Sequence, residues 1–369
     1  MLTRGIHSRL SRLWLVLPFI AVLALGPGVT ATAAHQQDVH PPTLTPQTSG
    51  TTNRLQAISP VNDRVAWASG VGGTYTLTTD GGKTWKVGVV PGAEGLQFRD
   101  VQGVSDRTAY LMSIGNGTDS RIYKTVNGGQ TWTLQFQNQD PNAFYDCFAF
   151  WNGRRGITTS DSVNGRFPAI RTTDGTTWHD IGNNLPAALP GEGSFAASGT
   201  CVATQGTRRA WIATGAAGLP VPARILATTD GGNSWAAYNT PILQDTGTSG
   251  VFSVAFRDGL HGILGGGDFV KTTSAITARS NDGGKTWQPT SAPPFSGAVF
   301  GLSYAGESRT VVATGPSGSV WTPDEGRTWF SLPGLTGFWA VAFADDDTGW
   351  LVGTTGRIEK FSFAGPDND

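Results

Sequence analysis

A motif of eight residues that recurs along the chain restricts the fold more than any other feature of this sequence. The motif reads Ser/Thr-x-Asp-x-Gly-x-Thr-Trp. Full-length copies, two of them with one substituted position, stand at residues 78–85, 125–132, 228–235, 280–287 and 322–329. A sixth copy, at residues 172–178, is one residue shorter. The motif tryptophans are 42 to 57 residues apart, which indicates that one structural unit is repeated at this interval.

The chemistry of the motif predicts a hairpin loop. Its acidic side chain can accept hydrogen bonds from the backbone of its own turn, and glycine adopts the positive φ angles that tight turns need. The tryptophan then packs the loop onto its sheet. Metal binding or catalysis by each aspartate is the alternative, but six dispersed copies at one structural position favour a role in the fold. The residues assigned to that role are Asp80, Trp85, Asn127, Trp132, Asp174, Trp178, Asp230, Trp235, Asp282, Trp287, Asp324 and Trp329.

Each motif copy lies late in a unit of short alternating strands. In the clearest unit the predicted strands are residues 251–256, 261–266, 276–279 and 285–288. Four antiparallel strands at such an interval are typical of a β-propeller blade. We therefore predict an all-β chain that forms a single seven-bladed β-propeller of four-stranded antiparallel blades.

The seventh unit begins at Phe338 and ends without a motif copy or a fourth strand. Residues 42–47 precede the first unit and can supply the missing strand. An N-terminal strand that completes the last blade would hide the two terminal sheet edges, which otherwise invite aggregation. The predicted domain boundaries are a disordered segment at 34–41, the propeller at 42–363 and a flexible tail at 364–369.

The N-terminus is predicted to be a cleaved export signal at residues 1–33. Arg4, Arg9 and Arg12 precede an apolar run at residues 13–25, and small residues at 31 and 33 suit a cleavage site. The run is shorter than the roughly 20 residues that span a bilayer, so we expect no membrane insertion after the signal is removed. We expect a periplasmic or extracellular protein; an uncleaved anchor is the alternative.

Charge and motif content argue against several classes of function. Only 14% of the residues are charged and the formal net charge is −1, so we expect no nucleic-acid binding. None of the five histidines has the spacing of a metal site, and no glycine-rich nucleotide loop joins a strand to a helix. We therefore expect no metal and no cofactor, and we expect a monomer.

The motif copies resemble the Asp-box, or BNR, repeats of sialidase-like propellers. Residues 349–356, Gly-Trp-Leu-Val-Gly-Thr-Thr-Gly, are followed by Arg-Ile, and this phrase resembles the photosystem II stability/assembly factor family. The resemblance covers nearly all of residues 42–363 and implies the propeller fold. It also implies a protein that binds carbohydrate or another protein.

Enzymes that share the motif define the alternative to a binding role. Sialidases carry an early Phe/Tyr-Arg-Ile-Pro segment, and none precedes the first motif copy here. Xyloglucanases with this motif usually join two propellers, whereas this chain is predicted to form one. We therefore favour a non-enzymatic role; if the chain is an enzyme, the resemblance implies a glycoside hydrolase.

Segments that depart from the repeat are the candidates for function, because loops on a rigid scaffold carry binding residues. Three such segments place Asp161, Arg166, Glu192 and Asp268 on turns that we expect to meet near one propeller face. Asp161 and Glu192 are the candidate acid/base pair, since glycosidases need two carboxylates roughly 5 to 9.5 Å apart. Arg166 and Asp268 are candidates for binding, and Trp151 is a candidate platform for a sugar ring. The alternative is that all five are ordinary turn and packing residues.

The two cysteines are predicted to be buried free thiols. Aligning the blades on Phe150, Thr204 and Phe256 places Cys147 and Cys201 at equivalent positions of neighbouring inner strands. Equivalent side chains point the same way round the ring, which opposes the Cβ geometry that a disulfide needs. Export permits a disulfide, so a bonded pair is the alternative.

Two functions are consistent with the sequence. The first is an exported non-enzymatic scaffold that binds an unknown protein partner, or assists its assembly, through one propeller face. The second is a glycan-binding or glycoside-hydrolase-type, sialidase-like protein that uses the same face. A carboxylate pair in a concave pocket with nearby aromatic rings favours the second function, and a shallow surface with arginines and apolar loops favours the first.

Overall fold

The seven-bladed propeller predicted from the repeat is confirmed. The computed structural model describes residues 41–271 and 273–363, which form seven four-stranded antiparallel sheets. The innermost strands of successive sheets contact one another, and that of the seventh sheet contacts that of the first, so the sheets close into a ring. The predicted signal peptide (1–33), residues 34–40 of the predicted disordered segment and the predicted tail (364–369) lie outside the described residues.

Each blade is hydrogen-bonded in chain order from its innermost first strand outward. Blades one to six take β2 to β25 in groups of four, and blade seven takes β26, β27, β28 and, outermost, β1. The strands are β1 (Thr43–Thr48), β2 (Leu55–Pro60), β3 (Ala66–Gly70), β4 (Thr74–Thr78), β5 (Lys86–Val89), β6 (Gln97–Gly103), β7 (Ala109–Ile114), β8 (Arg121–Thr125), β9 (Thr133–Gln137), β10 (Tyr145–Phe150), β11 (Gly156–Ser160), β12 (Ala169–Thr172), β13 (Trp178–Asp180), β14 (Val202–Gln205), β15 (Arg209–Ala213), β16 (Leu219–Thr228), β17 (Ala236–Gln244), β18 (Ser249–Phe256), β19 (Gly262–Asp268), β20 (Ile276–Ser280), β21 (Gln288–Pro289), β22 (Gly301–Tyr304), β23 (Val311–Gly315), β24 (Gly318–Thr322), β25 (Phe330–Ser331), β26 (Phe338–Phe343), β27 (Thr348–Gly353) and β28 (Arg357–Ser362). Short 3-10 helices lie at Gly117–Asp119, Gly182–Asn184 and Thr354–Gly356.

Burial decreases from the inner strands to the rim of the ring. Every residue of β3 and β23 is buried, whereas most residues of the fourth strand β5 are exposed. Trp67, Trp211 and Trp350 occupy matching places in the second strands of three blades and are fully buried. The blades are therefore held face to face by large apolar side chains from the second strands.

All six motif copies form the loop between the third and fourth strands of a blade. In the first loop, Asp80 accepts hydrogen bonds from the Thr84 backbone N–H at 2.9 Å and from the Thr84 hydroxyl at 2.6 Å. The Thr78 hydroxyl oxygen accepts from the Gly82 N–H at 2.8 Å, and Gly82 has a φ of +84°. The hydrogen bonds from Thr84 lower the pKa of Asp80 to about 2. The loop is thus closed by its own side chains, as a hairpin-loop role requires.

Each motif loop also accepts a hydrogen bond from a side chain of the preceding blade. The Tyr75 hydroxyl of blade one, for example, donates to the Gly129 carbonyl oxygen of blade two at 2.6 Å. The other five bonds, each to a backbone carbonyl oxygen, run from Lys124 to Gly175, from Arg171 to Gly231, from Trp211 to Gly283, from Ser291 to Arg327 and from Lys360 to Gly81. These bonds fix the register of one blade against the next.

The N-terminal strand closes the ring, as predicted. β1 pairs antiparallel with β28 over six residues. The Gln47 side-chain oxygen accepts from the Trp85 indole of blade one at 3.0 Å and from the Trp350 indole of blade seven at 3.1 Å. Its amide nitrogen donates to the Gly81 carbonyl oxygen at 3.2 Å. One side chain therefore joins the closing strand to both blades at the seam.

The prediction of two free thiols is wrong, because Cys147 and Cys201 form a disulfide. Their Cα atoms are 5.9 Å apart, within the range that a disulfide requires, and both side chains are fully buried. The prediction assumed two regular, equivalent strands. Cys201 instead precedes β14, and Gly199 just before it has a φ of +79°, so its side chain does not follow the direction set by a ladder of strands.

Removing the disulfide is expected to lower the free energy of unfolding by about 2–4 kcal/mol, since the bridge closes a loop between residues 54 apart in sequence. The double variant Cys147→Ala, Cys201→Ala and the wild type are compared by urea unfolding, each with and without reductant. Reductant should destabilise the wild type alone. Equal stability of all four samples would contradict a cross-link that contributes to the fold.

Replacing Gln47 by Leu is expected to lower the free energy of unfolding by about 2–4 kcal/mol, because it leaves two buried indole N–H groups without their acceptor. Thr45→Ala, an exposed position on the same strand, is the matched control and should change stability by less than about 0.5 kcal/mol. Thermal and urea unfolding provide the measurement. A loss no larger than that of the control would show that the seam does not depend on Gln47.

Candidate functional site

The order of the strands separates the loops of the propeller into two faces. The connections between blades and the loops from second to third strands lie on one face, here called the entry face. The turns from first to second strands and the six motif loops lie on the opposite face, here called the motif face. The candidate residues Asp161, Arg166, Glu192 and Asp268 all lie on the entry face, whereas Trp151 lies on the motif face.

The innermost strands present one residue each to the axis. β-Bulges in five of these strands leave a single residue out of register, and such bulges re-aim side chains. Two further residues occupy the corresponding places just before β14 and β22. These seven residues, here called the axial ring, are Gln56, Arg99, Asp146, Thr200, Phe252, Phe300 and Trp339. Blades one to four thus contribute polar residues to the ring, and blades five to seven contribute aromatic residues.

A cavity of about 700 Å³ lies at the axis and is lined by five members of the axial ring, including Arg99, Asp146 and Trp339. Asn142, Ser162 and other residues of entry-face loops also line it, so it opens on that face. We call it the axial cavity. Its volume lies within the range of sites for small molecules or for a few residues of a peptide.

The connection between blades three and four lies across the cavity. Residues 194–200, here called the crossing segment, are tied to blade two by the Arg99 guanidinium, which donates to the Ala196 carbonyl oxygen at 2.8 Å. The Ser198 hydroxyl donates to the Phe300 carbonyl oxygen of blade six at 2.5 Å, and the ring of Phe195 stacks on that of Phe252 at 3.9 Å. The segment therefore forms part of the cavity wall and holds four blades together.

Two carboxyl groups meet in the cavity wall. Asp146 is 1% exposed and its Oδ2 has no hydrogen-bond partner, and Asp161 accepts from the Ser194 N–H at 2.9 Å. Burial raises the pKa of Asp146 well above its ordinary value, and the charge of Asp161 raises it further. Burial also raises the pKa of Asp161 to about 6. Both shifts favour the protonated form, and the charge of Asp161 adds to the shift of Asp146.

Two arginines lie over the indole of Trp339. The guanidinium carbons of Arg54 and Arg99 are 4.5 Å and 5.5 Å from the ring centroid. The Nε atoms of both arginines are buried without a hydrogen-bond partner, and the amide of Gln56 is also buried and unpartnered. Within residues 41–271 and 273–363, no carboxylate forms an ion pair with either arginine. Buried polar groups are normally satisfied, so this cluster indicates a place for water or a ligand.

Glu192 lies beside Asp161 at the cavity, but its carboxylate is held by the protein. It forms a two-point ion pair with Arg224, in which Nε donates to Oε1 at 2.8 Å and Nη2 donates to Oε2. The Thr214 hydroxyl donates to the same Oε1 at 2.6 Å, and the Leu189 N–H donates to Oε2 at 2.8 Å. This geometry suits a clamp that positions the crossing segment. The carboxyl group that interacts with Asp161 in the cavity wall is therefore that of Asp146, which sequence reasoning did not select.

Asp268 and Arg166 lie on the entry face outside the lining of the axial cavity. Burial alone would raise the pKa of Asp268, but backbone N–H groups of Lys271 and Val270, with two threonine hydroxyls, lower it to about 2. Arg166 donates to Asn183 and borders a separate depression of about 360 Å³ near the outer strands of blade three. The structure thus brings Asp161 and Glu192 together and places these two residues apart from them.

Trp151 lies on the motif face, away from the cavity. Its indole N–H donates to the Arg209 carbonyl oxygen at 2.6 Å, and the Arg155 guanidinium lies 5.5 Å from the ring centroid. Its contacts are those of a residue that packs blade three against blade four.

The axial ring was accessible from the sequence but was not selected. The alignment that pairs Cys147 with Cys201 also pairs Asp146 with Thr200 and with Phe252, four residues before the aligned position in each blade. That column changes from polar residues in blades one to four to aromatic residues in blades five to seven. A search for variation within one column of the repeat would have found the ring.

Among the described residues we also looked for a membrane-spanning helix and for a metal-binding cluster. None of their helices is long and apolar enough to cross a membrane. They contain no group of three or more His, Cys, Asp or Glu side chains arranged to hold a metal ion.

Comparison with known proteins supports the fold. No family model matches the chain, and no curated protein matches its sequence. YCF48 bound to a D1 peptide is similar in structure, with a TM-score of 0.60 and 16% identity over 89% of this chain and 98% of that one. YCF48 from Cyanidioschyzon merolae is also similar in structure, with a TM-score of 0.62 and 14% sequence identity over 86% of this chain and 98% of that one. The GH74 xyloglucanase from Xanthomonas campestris has a TM-score of 0.62 and 15% sequence identity over 88% of this chain and 55% of that one. At such identities the likeness concerns the fold.

Asp161→Asn is expected to change how stability depends on pH. The folded pKa of about 6 lies above the ordinary 3.8, so the contribution of Asp161 is fully present below pH 3.8 and is lost as pH rises through 6. The stability of the variant relative to the wild type should therefore increase by up to about 3 kcal/mol between pH 4 and pH 7.5.

Urea unfolding at the two pH values measures this difference. Asp106→Asn, which removes a negative charge from an exposed turn, is the control for the change in net charge. A pH dependence of Asp161→Asn equal to that of the control would show that Asp161 is not buried as described.

Proposed function

We propose that this chain is an exported, non-enzymatic propeller scaffold that binds a segment of a protein partner in the axial cavity. Export would follow from the signal peptide at residues 1–33. The observation that carries the proposal is that Arg99 and Asp146 line the axial cavity and each has a buried polar atom without a hydrogen-bond partner, because such groups are stable only with a partner or with water.

The rim of the cavity supports a polypeptide ligand. Phe269 and Val270 stand at the entry face with 48% and 66% of their surface exposed, and Phe269 lines both the axial cavity and a smaller adjoining pocket of about 150 Å³. Exposed apolar side chains beside a pocket are a feature of surfaces that bind other proteins. Among proteins of this fold, YCF48 is known with a bound D1 peptide, which is a precedent for peptide binding.

The aromatic rings of the cavity fit a glycan less well. Phe195 and Phe300 both lie parallel to Phe252, with interplanar angles of 1° and 6°. Trp339 carries Arg54 and Arg99 over its ring. Sugars bind to free ring faces, and the faces of these rings are largely taken by protein groups.

A glycan-binding or glycoside-hydrolase-type protein is the second candidate function. The observation that favours it is the pair of Asp146 and Asp161, whose buried environments raise the pKa of both groups, that of Asp161 to about 6. The cavity is concave and contains aromatic rings, as that function requires. Asp146 is almost fully buried, however, and a general acid must reach the glycosidic oxygen.

The proposal is tested with the chain from Ala34 onward, screened against a random peptide library and against panels of glycans and glycoside substrates. Peptides that bind are expected to lose at least about tenfold in affinity, measured by calorimetry, with Arg99→Gln or Trp339→Ala. Arg166→Gln, an arginine on the same face away from the cavity, should leave the affinity unchanged.

Hydrolysis of a glycan that is lost in both Asp146→Asn and Asp161→Asn would overturn the non-enzymatic proposal and establish the second candidate. Peptide affinities that do not respond to Arg99→Gln or Trp339→Ala would show that the axial cavity is not the binding site.

A further inference from the structure

We infer that Arg99, with Arg54 beside it over the Trp339 ring, forms a subsite for the carboxylate of an organic acid whose apolar body lies against the aromatic half of the axial ring. The inference shares its location with the proposed function and deepens it. It does not require a protein ligand, since a small acid carries the same chemistry.

The first observation is a pair of cations that form no ion pair with a described carboxylate, although the Asp146 carboxyl group faces Arg99. Both guanidiniums lie over Trp339, and neither is ion-paired with a described carboxylate. Burial lowers the pKa of Arg99 to about 10, and the charge of Arg54 contributes to the lowering. Two like charges held together in a partly desolvated site repel each other, and an anion between them would remove that cost.

The second observation is that the donors are positioned in advance. The terminal nitrogens of Arg99 donate to the Ala196 carbonyl oxygen at 2.8 Å and to the Gln97 side-chain oxygen at 3.1 Å. Its Nε remains unpartnered, as do the Nε of Arg54 and the amide of Gln56, which is 0% exposed. A guanidinium fixed in this way loses little conformational freedom when it binds a carboxylate.

The third observation concerns the acidic wall next to this cluster. The groups that face Asp146 are Arg99 from blade two and Asp161 at the end of β11. Burial raises the pKa of Asp146 well above its ordinary value, which favours the protonated form, and a protonated carboxyl group donates to an anion rather than repelling it. A monoanion suits this wall better than a phosphate dianion, because Asp161 carries a charge above pH 6.

The fourth observation is the apolar side of the cavity. Phe252 and Phe300 stack in parallel, Trp339 meets Phe300 edge to face at 5.1 Å, and Phe269 lies at the mouth. A ligand that reaches the arginines passes along these rings. Its body is therefore apolar, and the cavity volume of about 700 Å³ suits a small molecule or the last residue of a chain.

The test uses 3-phenylpropionate, its neutral amide and inorganic phosphate as probes, with binding to the chain from Ala34 onward measured by calorimetry at pH 5.5. We expect saturable binding of the acid, at least tenfold weaker binding of the amide and phosphate, and at least tenfold weaker binding of the acid to Arg54→Gln and to Arg99→Gln. Arg166→Gln serves as the matched control.

Circular dichroism and thermal unfolding establish that each variant folds. If the Arg99→Gln variant does not fold, Arg99→Lys is used in its place. Equal binding of the acid and the amide, or no effect of either arginine variant, would overturn the inference. Binding of the acid should weaken between pH 5.5 and pH 8 as Asp161, whose pKa is about 6, ionises, and less so in the double variant Asp146→Asn, Asp161→Asn. If binding of the acid depends on pH in the double variant as strongly as in the wild type, the inferred subsite next to these two carboxyl groups is contradicted.

Peptides that end in phenylalanine, with a free or an amidated C-terminus, distinguish the source of the carboxylate. Preference for the free terminus identifies a chain end as a ligand, whereas binding of the small acid alone identifies a metabolite-like ligand; both outcomes support the subsite. If library peptides bind in the cavity but no carboxylate is preferred, the subsite is refuted and the proposed function stands. If the acid binds and no peptide does, the subsite is supported and the proposed peptide-binding function is refuted.

Discussion

The hydrogen bond from one blade to the motif loop of the next is the interaction on which the ring depends. A four-stranded blade has two broad faces that bury apolar side chains, and such faces alone allow neighbouring blades to slide or tilt. A loop closed by its own aspartate and threonine presents its backbone carbonyl oxygens in fixed positions, and a side chain of the preceding blade donates to one of them. Each bond is worth only about 1 kcal/mol net, but its direction selects one rotation between blades.

The same arrangement explains why the seam is built differently. Blade seven has no motif loop, so blade six has no such acceptor on the next blade, and the N-terminal strand takes the outermost place. Gln47 and Lys360 then supply the bonds from blade seven to the first motif loop. Since the angles between blades are fixed in this way, the seven residues of the axial ring converge on one axis and can differ chemically without disturbing the ring.

The fold could be predicted from the sequence because it follows from repetition. A motif that recurs with Asp80, Asp174 or Asp324 in the same role reports the same loop each time, and seven units of four strands leave one solution. The disulfide and the axial site could not be predicted in that way, because both arise where the repeat is broken. Cys201 follows a segment that leaves the repeat, and the carboxyl beside Asp161 proved to be Asp146, which a bulge directs to the axis. Sequence reasoning selected polar residues in loops, whereas the unpartnered groups of Gln56, Arg99 and Asp146 lie on inner strands and that of Arg54 lies directly before one.

The disulfide has a consequence for when the site comes into being. Cys147 directly follows Asp146, and Cys201 directly follows Thr200, so the covalent bond joins the backbone beneath two neighbouring members of the axial ring. It also anchors the end of the crossing segment that forms one wall of the cavity. Since a disulfide forms by oxidation of two thiols, this wall of the cavity is complete only after Cys147 and Cys201 have been oxidised. A chain that folds under reducing conditions can build the ring from its repeats, but it lacks the link that sets this wall.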